Sequence, residues 1–147
     1  LAEDTTESDL DKLYSVNVRS AYRLAALSLE KMLAREFGRI IFISSVWGVA
    51  GAAMESAYSM TKSALTGLTR SLAKETGGNV TVNCICPGVI DTPMNDNIVG
   101  EDRREAIAEI PLGRTGTPEE VASACFMLAE NGFITGEILN VSGGEVI

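Results

Sequence analysis

The sequence predicts an α/β protein built on a parallel β-sheet. Three short apolar runs have the composition of buried strands, and segments with an apolar period of three to four residues precede and separate them. Strands that alternate with helices pair in parallel through right-handed crossovers. The chain has 147 residues, near the common size of one domain, and shows no internal repeat or low-complexity segment. We therefore expect one α/β domain, or one piece of such a domain.

The predicted elements follow in the order helix, strand, helix, strand, helices, strand. The first helix should begin at a cap within residues 6–9 and end at Gly38. Pro118 suits the first turn of the last helix. The expected bounds are 7–35, 56–76, 101–109 and 118–130 for the helices, and 39–44, 79–85 and 136–143 for the buried strands.

The charge and the cysteine content argue against several classes of function. The formal net charge of −8 argues against a nucleic-acid binder and against attachment to an anionic membrane, and no apolar run is long enough to span a bilayer. The chain has no histidine, so mechanisms that need an imidazole are excluded, and no metal site is expected. Cys84, Cys86 and Cys125 form no closed disulfide framework and are predicted to be reduced thiols, buried in a cytoplasmic protein.

Polar side chains that can take part in proton transfer follow the predicted strands. Ligands of an open parallel sheet bind beyond the carboxyl ends of its strands, and Ser45 ends the first one. Tyr58 and Lys62 lie four residues apart on the next helix, where an ammonium can lower the pKa of a phenol. Together with a hydroxyl that holds a carbonyl oxygen, this set suits proton transfer during carbonyl reduction or alcohol oxidation. Taken alone, the pair could equally be a packed ring and a solvated amine.

Five motifs occur in a fixed order along the chain. They are residues 14–17, residues 38–45, the set Ser45, Tyr58 and Lys62, residues 82–92, and residues 134–137 with Gly143 and Gly144. In residue type, spacing and order they resemble the C-terminal half of a short-chain dehydrogenase/reductase, and the resemblance covers essentially the whole chain. It implies part of a doubly wound, Rossmann-type parallel sheet with three strands and flanking helices. Residues 1–147 would be the catalytic half of that domain, and its first half would be absent from this chain.

The resemblance also implies a role for each catalytic residue. Tyr58 would be the general acid in reduction and the base in oxidation, and Lys62 would lower its pKa and bind the nicotinamide ribose of NADP or NAD. Ser45 would orient the substrate carbonyl. Asn17 would hold a water in a proton relay behind Lys62. Asn17 could instead interrupt a long helix through a bond between its side chain and the backbone.

The Pro-Gly loop would hold the nicotinamide end of the cofactor. Ile90 and Thr92 would meet the carboxamide, and Pro87 with Gly88 would allow close approach of the backbone. The structural alternatives are that Thr92 is only a helix cap and that Gly88 serves only a turn.

The closest resemblance within the family is to bacterial 3-oxoacyl-carrier-protein reductases, through residues 111–122. It implies NAD(P)H-dependent reduction of a ketone to a secondary alcohol, in fatty acid biosynthesis, on a substrate carried by acyl carrier protein. A homo-oligomer, dimer or tetramer, is implied as well. Trp47 and Glu55 depart from that pattern and are candidate substrate contacts. They are similar to a reductase group that acts on an aminopentanone attached to a lysine of elongation factor P. Glu55 could pair with a substrate ammonium there, or it could be a solvated residue at a helix N-terminus.

Most of the cofactor cradle that the family uses has no counterpart in this chain. The glycine-rich turn that would bind the pyrophosphate does not occur, and neither does the residue that distinguishes NAD from NADP. The first residue is Leu1, which favours a fragment, so a non-catalytic fragment remains an alternative. In the strand order implied by the resemblance, the run at 39–44 would lack one neighbour. Its apolar edge would then pair with another chain or be covered.

Overall fold

The fold of residues 1–95 and 99–146 is described by a computed structural model. Its helices are α1 (Glu7–Tyr14), α2 (Ser20–Ala34), α3 (Trp47–Ala50), α4 (Ser56–Glu75), α5 (Gly100–Ala108) and α6 (Pro118–Glu130). Its strands are β1 (Gly38–Ile43), β2 (Val80–Pro87) and β3 (Ile138–Val141). Helices and strands alternate as the sequence predicts, and the α/β class is confirmed.

The three strands form one parallel sheet in the order β1-β2-β3. Gly38 of β1 lies opposite Val80, and Cys84 of β2 lies opposite Ile138. Strand β2 is central and almost wholly buried, because it has a strand on each side and helices pack against its faces. The main core cluster joins one face of the sheet to α2 and α4, and consists of Ala25, Phe42, Leu65, Leu72, Val82, Cys84 and Cys86. The predicted burial of the two strand cysteines is confirmed, whereas Cys125 is only partly buried.

The first long helix is interrupted, contrary to the single helix expected over 7–35. Residues Ser15–Arg19 form a π-helical turn between α1 and α2, which places Asn17 inside the irregular turn. The N-terminal cap is confirmed, since Thr6 and Asp9 form a reciprocal capping box. The predicted end at Gly38 is wrong. The chain turns at Glu36, whose φ is 53°, and Gly38 already belongs to β1.

Two strand expectations need correction. Strand β1 is half-buried rather than buried, because β2 is its only strand partner among the described residues. Strand β3 is shorter than the predicted 136–143, because glycines with positive φ lie beyond both of its ends, at Gly136 (77°) and Gly143 (66°). Among the helices that the structure describes, none is long and apolar enough to cross a lipid bilayer.

Candidate active site

A cavity of about 360 Å³ opens at the carboxyl ends of β1 and β2. Ser45 and Tyr58 both line it, Ser45 from the end of β1 and Tyr58 from the first turn of α4. Trp47, Glu55 and Gly88 line it as well. The fold therefore brings together the serine and the tyrosine of the predicted set, which lie thirteen positions apart in the chain.

The hydroxyl of Ser45 faces both α3 and α4. Its Oγ accepts a hydrogen bond of 3.2 Å from the Trp47 backbone N–H, and the serine lies close enough to Tyr58 to lower the pKa of the phenol. The indole of Trp47 meets the Tyr58 ring edge to face, with 6.1 Å between centroids and 84° between planes. The Tyr58 ring thus packs against an aromatic neighbour, and Ser45 lines the same cavity.

The pKa of Tyr58 departs from its expected direction. The resemblance implies that Lys62 lowers it, but burial raises the pKa of Tyr58 above its ordinary value. The hydrogen bond from Ser45 lowers this pKa, and the charge of Glu55 raises it, without reversing the effect of burial. In this arrangement the phenol keeps its proton at neutral pH.

The side chain of Lys62 lies near Tyr58 but does not line this cavity. Its Nζ is 5.6 Å from the centroid of the Tyr58 ring and donates a 3.1 Å hydrogen bond to the carbonyl oxygen of Ile43. Burial lowers the pKa of Lys62. Together with Asn17, Lys62 lines a second groove of about 430 Å³, along β1 and α2.

Asn17 is joined to α4 by a side-chain bond. Its Nδ2 donates to Oγ1 of Thr61 at 3.0 Å, and that hydroxyl donates to the carbonyl oxygen of Tyr58 at 2.9 Å. The helix is interrupted at Asn17, as the structural alternative expected, but the side-chain bond that the structure shows runs to Thr61, 44 positions away, and not to the helix backbone. The π-helical turn directs Asn17 towards α4.

The Pro-Gly loop is divided between two surfaces. Gly88 and Val89 line the cavity of Ser45 and Tyr58, whereas Pro87 does not and Ile90 lines a separate cavity beside Gly116. A side chain at Gly88 would be crowded, since an added Cβ would lie 2.4 Å from the Glu145 carboxylate and 3.0 Å from Cα of Ser142. Thr92 directly precedes a short 3₁₀ helix, Pro93–Asn95. Its Oγ1 lies 3.5 Å from the carbonyl oxygen of Ile90. The structure brings only Gly88 of the four loop candidates to the catalytic cavity.

Three further residues shape the site and lie outside the predicted catalytic and binding sets. Ser44 is buried, and its Oγ donates a 2.8 Å hydrogen bond to the Lys62 carbonyl oxygen. Thr61 links Asn17 to Tyr58, as described above. Glu145 lines the cavity and has a buried carboxylate oxygen without a partner in the described residues, and burial raises its pKa. Serine and threonine beside predicted catalytic residues were the only signal available for the first two.

Glu55 and Trp47 are the two candidate substrate contacts. Both line the cavity, and Glu55 is exposed at the N-terminus of α4 without forming an ion pair within the described part of the chain. This geometry is compatible with either role expected for Glu55. Residues 1–95 and 99–146, which the structure describes, contain no cluster of three metal-ligating side chains.

The donors around Tyr58 fit the nicotinamide end of a dinucleotide cofactor. The Lys62 ammonium has three N–H groups and uses one of them on Ile43, which leaves donors for ribose hydroxyls. The side-chain-free Gly88 lets a flat ring approach the backbone from the cavity. The fit extends to that end of the cofactor alone, because no glycine-rich turn for a pyrophosphate occurs in the sequence.

Sequence comparison relates the chain to reductases. A family model described as Enoyl-(Acyl carrier protein) reductase matches residues 1–145. The 3-oxoacyl-[acyl-carrier-protein] reductase of Thermotoga maritima is 36% identical over 144 residues, which cover 96% of this chain and 58% of that protein. The protein of the same name from Aquifex aeolicus is 41% identical and is matched over 92% of this chain and 56% of its own length. The chain thus spans somewhat more than half the length of the curated relatives it matches.

Structural comparison gives the same relationship. A 3-oxoacyl-[acyl-carrier protein] reductase from Brucella melitensis superimposes with a TM-score of 0.92 and 31% identity, over 96% of this chain and 54% of that one. A structure described as ElxO with NADP bound superimposes with a TM-score of 0.93 and 29% identity, over 99% of this chain and 61% of that one. These relatives lend no support to the elongation factor P alternative.

Proposed function

The chain belongs to the short-chain dehydrogenase/reductase family, corresponding to the C-terminal half of its domain, and we propose that it forms the proton-donating part of a ketone reductase. The proposed reaction is NADPH- or NADH-dependent reduction of a 3-oxoacyl group carried on acyl carrier protein. One observation carries the proposal. The hydroxyls of Ser45 and Tyr58 meet at one cavity, with the Lys62 ammonium 5.6 Å from the Tyr58 ring.

Tyr58 acts as the acid in this proposal. Burial raises the pKa of its phenol, so the proton is present at neutral pH and can pass to the ketone oxygen. Ser45 donates a hydrogen bond to the same oxygen and holds it beside the phenol. The ketone carbon gains a hydride while its oxygen gains the Tyr58 proton, and the product is a secondary alcohol.

Lys62 and the Pro-Gly loop would hold the cofactor. The free N–H groups of Lys62 would bind the ribose hydroxyls. Ile90 and Thr92 remain the candidates for the nicotinamide carboxamide, with Pro87 and Gly88 allowing close approach of the backbone. When bound, the reduced nicotinamide supplies the hydride. Lys62 also stabilises the phenolate that forms once the proton has left Tyr58, because the two charges attract across a partly buried site.

The substrate assignment rests on the named relatives and on the composition of the cavity. Val46, Trp47 and Met94 line it with apolar surface, while Ser45 and Tyr58 provide the polar groups for one carbonyl. This division suits a 3-oxoacyl group, whose apolar chain adjoins the ketone that is reduced. Glu55 at the rim would discriminate against anionic substrates.

The protein is proposed to work as a homo-oligomer. Large apolar side chains are exposed on α2, at Tyr22, Leu24 and Leu27, and Met60 is exposed on α4. A second subunit that covers these helices would remove that surface from water. Sedimentation equilibrium of the protein would show a dimer or tetramer, and a strict monomer at high concentration would contradict this part of the proposal.

The activity is tested with the product of the natural gene, which contains these residues together with any sequence that flanks them and is called the flanked protein below. We expect oxidation of NADPH or NADH that depends on an acetoacetyl thioester, and no such oxidation in the Tyr58→Phe variant. The 147-residue chain is tested in parallel for quenching of Trp47 fluorescence by either cofactor. Absence of ketone-dependent oxidation in the flanked protein would overturn the proposal, and the chain would then be a non-catalytic member of the family.

A further inference from the structure

A buried serine outside the predicted catalytic set is bonded to the helix that carries Tyr58 and Lys62. Ser44 is 4% exposed, and its Oγ donates a 2.8 Å hydrogen bond to the carbonyl oxygen of Lys62. That carbonyl lies inside α4, where the helix already supplies an N–H donor four residues further on. The bond is therefore not needed to satisfy the helix backbone, and it connects β1 to one particular turn of α4.

The same turn is approached closely by α3. A Cβ added to Gly48 would lie 2.8 Å from the carbonyl carbon of Lys62 and 2.8 Å from Oγ of Ser44. Gly48 is itself buried. The Ser44 hydroxyl is thus enclosed between α3 and α4, and neither helix can slide past it without a clash or a broken hydrogen bond.

The position of Ser44 couples this contact to the site. Ser44 precedes Ser45, so a bond from Ser44 to α4 restricts how far the Ser45 backbone can move relative to the helix that carries Tyr58. On the other side of α4, Thr61 ties Tyr58 to Asn17. The turn from Tyr58 to Lys62 is consequently held from both sides by buried hydroxyls.

We propose that Ser44 is a positioning residue, whose hydrogen bond to the Lys62 carbonyl holds the Tyr58–Lys62 turn where Ser45 can hydrogen-bond Tyr58. Its catalytic consequence rests on the function proposed above, but its effect on the phenol does not. If the Ser44 bond is removed, α4 gains freedom relative to β1, and the Ser45 hydroxyl is held less closely beside the Tyr58 phenol. Small displacements of this kind reduce turnover because a reacting group must be held in a narrow geometry.

The chain provides a matched control in Ser59. This serine lies beside Tyr58 on α4 and is also buried, but its Oγ has no hydrogen-bond partner in the described residues. Ser59→Ala and Ser44→Ala delete the same atom from the same neighbourhood. They differ in whether that atom connects β1 to α4.

The direct test measures the pKa of Tyr58. The chain has three tyrosines, so Tyr14→Phe with Tyr22→Phe leaves Tyr58 as the only phenol. In that background we expect Ser44→Ala to raise the pKa seen in the phenolate absorbance, because the Ser45 hydrogen bond lowers it. Ser59→Ala should leave the pKa unchanged. Equal pKa values in the two variants would overturn the inference, including when Ser44→Ala lowers the melting temperature.

The second test measures turnover in the flanked protein. Ser44→Ala should lower kcat about tenfold with KM for the ketone nearly unchanged, while Ser59→Ala keeps both values. Equal kcat values in the two variants would also overturn the inference. If the unmodified protein reduces no ketone, the proposed function fails, and the phenol titration still decides the inference. If Ser44→Ala does not fold, Ser44→Cys retains a weak donor and should give a smaller shift in the same direction.

Discussion

Strand β1 borders two regions that are held together in different ways. At its carboxyl end lies the catalytic corner of the proposed function, formed by Ser44, Ser45, Tyr58, Thr61 and Lys62, in which hydroxyls bond to backbone carbonyls of α4. Along its outer edge, residues 39–43 face the groove that Asn17 and Lys62 share, and no strand pairs with that edge in the described chain. Ser44 is 4% exposed, whereas Ile43, one position earlier, is 45% exposed.

The difference reflects what each region has to specify. A hydrogen bond from a buried hydroxyl has a preferred length and direction, so it fixes one arrangement of two elements. Apolar surface and an open strand edge have no such preference and can be covered by many partners. The hydrogen bonds of the corner therefore fix one relative position of β1 and α4. The outer edge is compatible with any partner that covers its apolar surface.

The largest effect is expected for Tyr58→Phe in the catalytic corner. The variant removes the proton donor and keeps the ring that packs against Trp47. We expect kcat to fall by about 10²- to 10⁴-fold, with an unchanged far-ultraviolet circular dichroism spectrum. Retention of more than a tenth of the turnover would contradict the role of Tyr58 as the acid.

The contrast between the sheet centre and the outer edge is tested by truncating one isoleucine in each. Ile85 in β2 is fully buried, so Ile85→Ala should lower the free energy of unfolding by about 2–5 kcal/mol. Its partner in the parallel register, Ile43, is partly exposed, and Ile43→Ala should cost less than about 1 kcal/mol. Urea denaturation of both variants measures the difference. Equal losses would mean that the outer edge is covered in solution.

The outer edge is also expected to cause self-association of the isolated 147-residue chain. A lysine on an edge strand opposes pairing, so Ile43→Lys should raise the dissociation constant about tenfold, equivalent to about 1.4 kcal/mol. Sedimentation velocity over a range of concentrations measures it. A chain that is monomeric throughout, with or without the lysine, would contradict this prediction.

The smallest effect is expected at an exposed ion pair, which lies outside both regions. Arg114 forms a bidentate pair with Glu120 and lowers the pKa of that carboxyl to about 2, from an ordinary value of 4.5. Because the folded pKa is depressed, the stabilisation is fully present above about pH 4.5 and is lost as the pH falls towards 2. The melting temperature of Glu120→Gln should thus approach that of the unchanged chain at low pH. A difference in melting temperature that grows as the pH falls would contradict the lowered pKa of Glu120.

Local sequence patterns were sufficient to predict most elements. The β-branched runs of β1 and β2, the capping residues Thr6 and Asp9, and the apolar period of α4 each depend on neighbours within a few positions. The motifs around Ser45 and Tyr58 indicated the cavity in the same way. The helix end expected at Gly38 was wrong for a reason that is also local. Glu36 adopts the left-handed conformation and turns the chain two residues earlier.

The sequence alone determined the α/β class, the parallel order of its elements and the residues that carry the proposed chemistry, because these follow from periodicity, turn residues and the spacing of motifs. Tertiary structure decided how those residues are held. Asn17 reaches Thr61 across 44 positions, and Ser44 reaches Lys62 across 18. The direction of the Tyr58 pKa was decided there as well, since burial is a property of the packed fold and outweighs the hydrogen bond from Ser45.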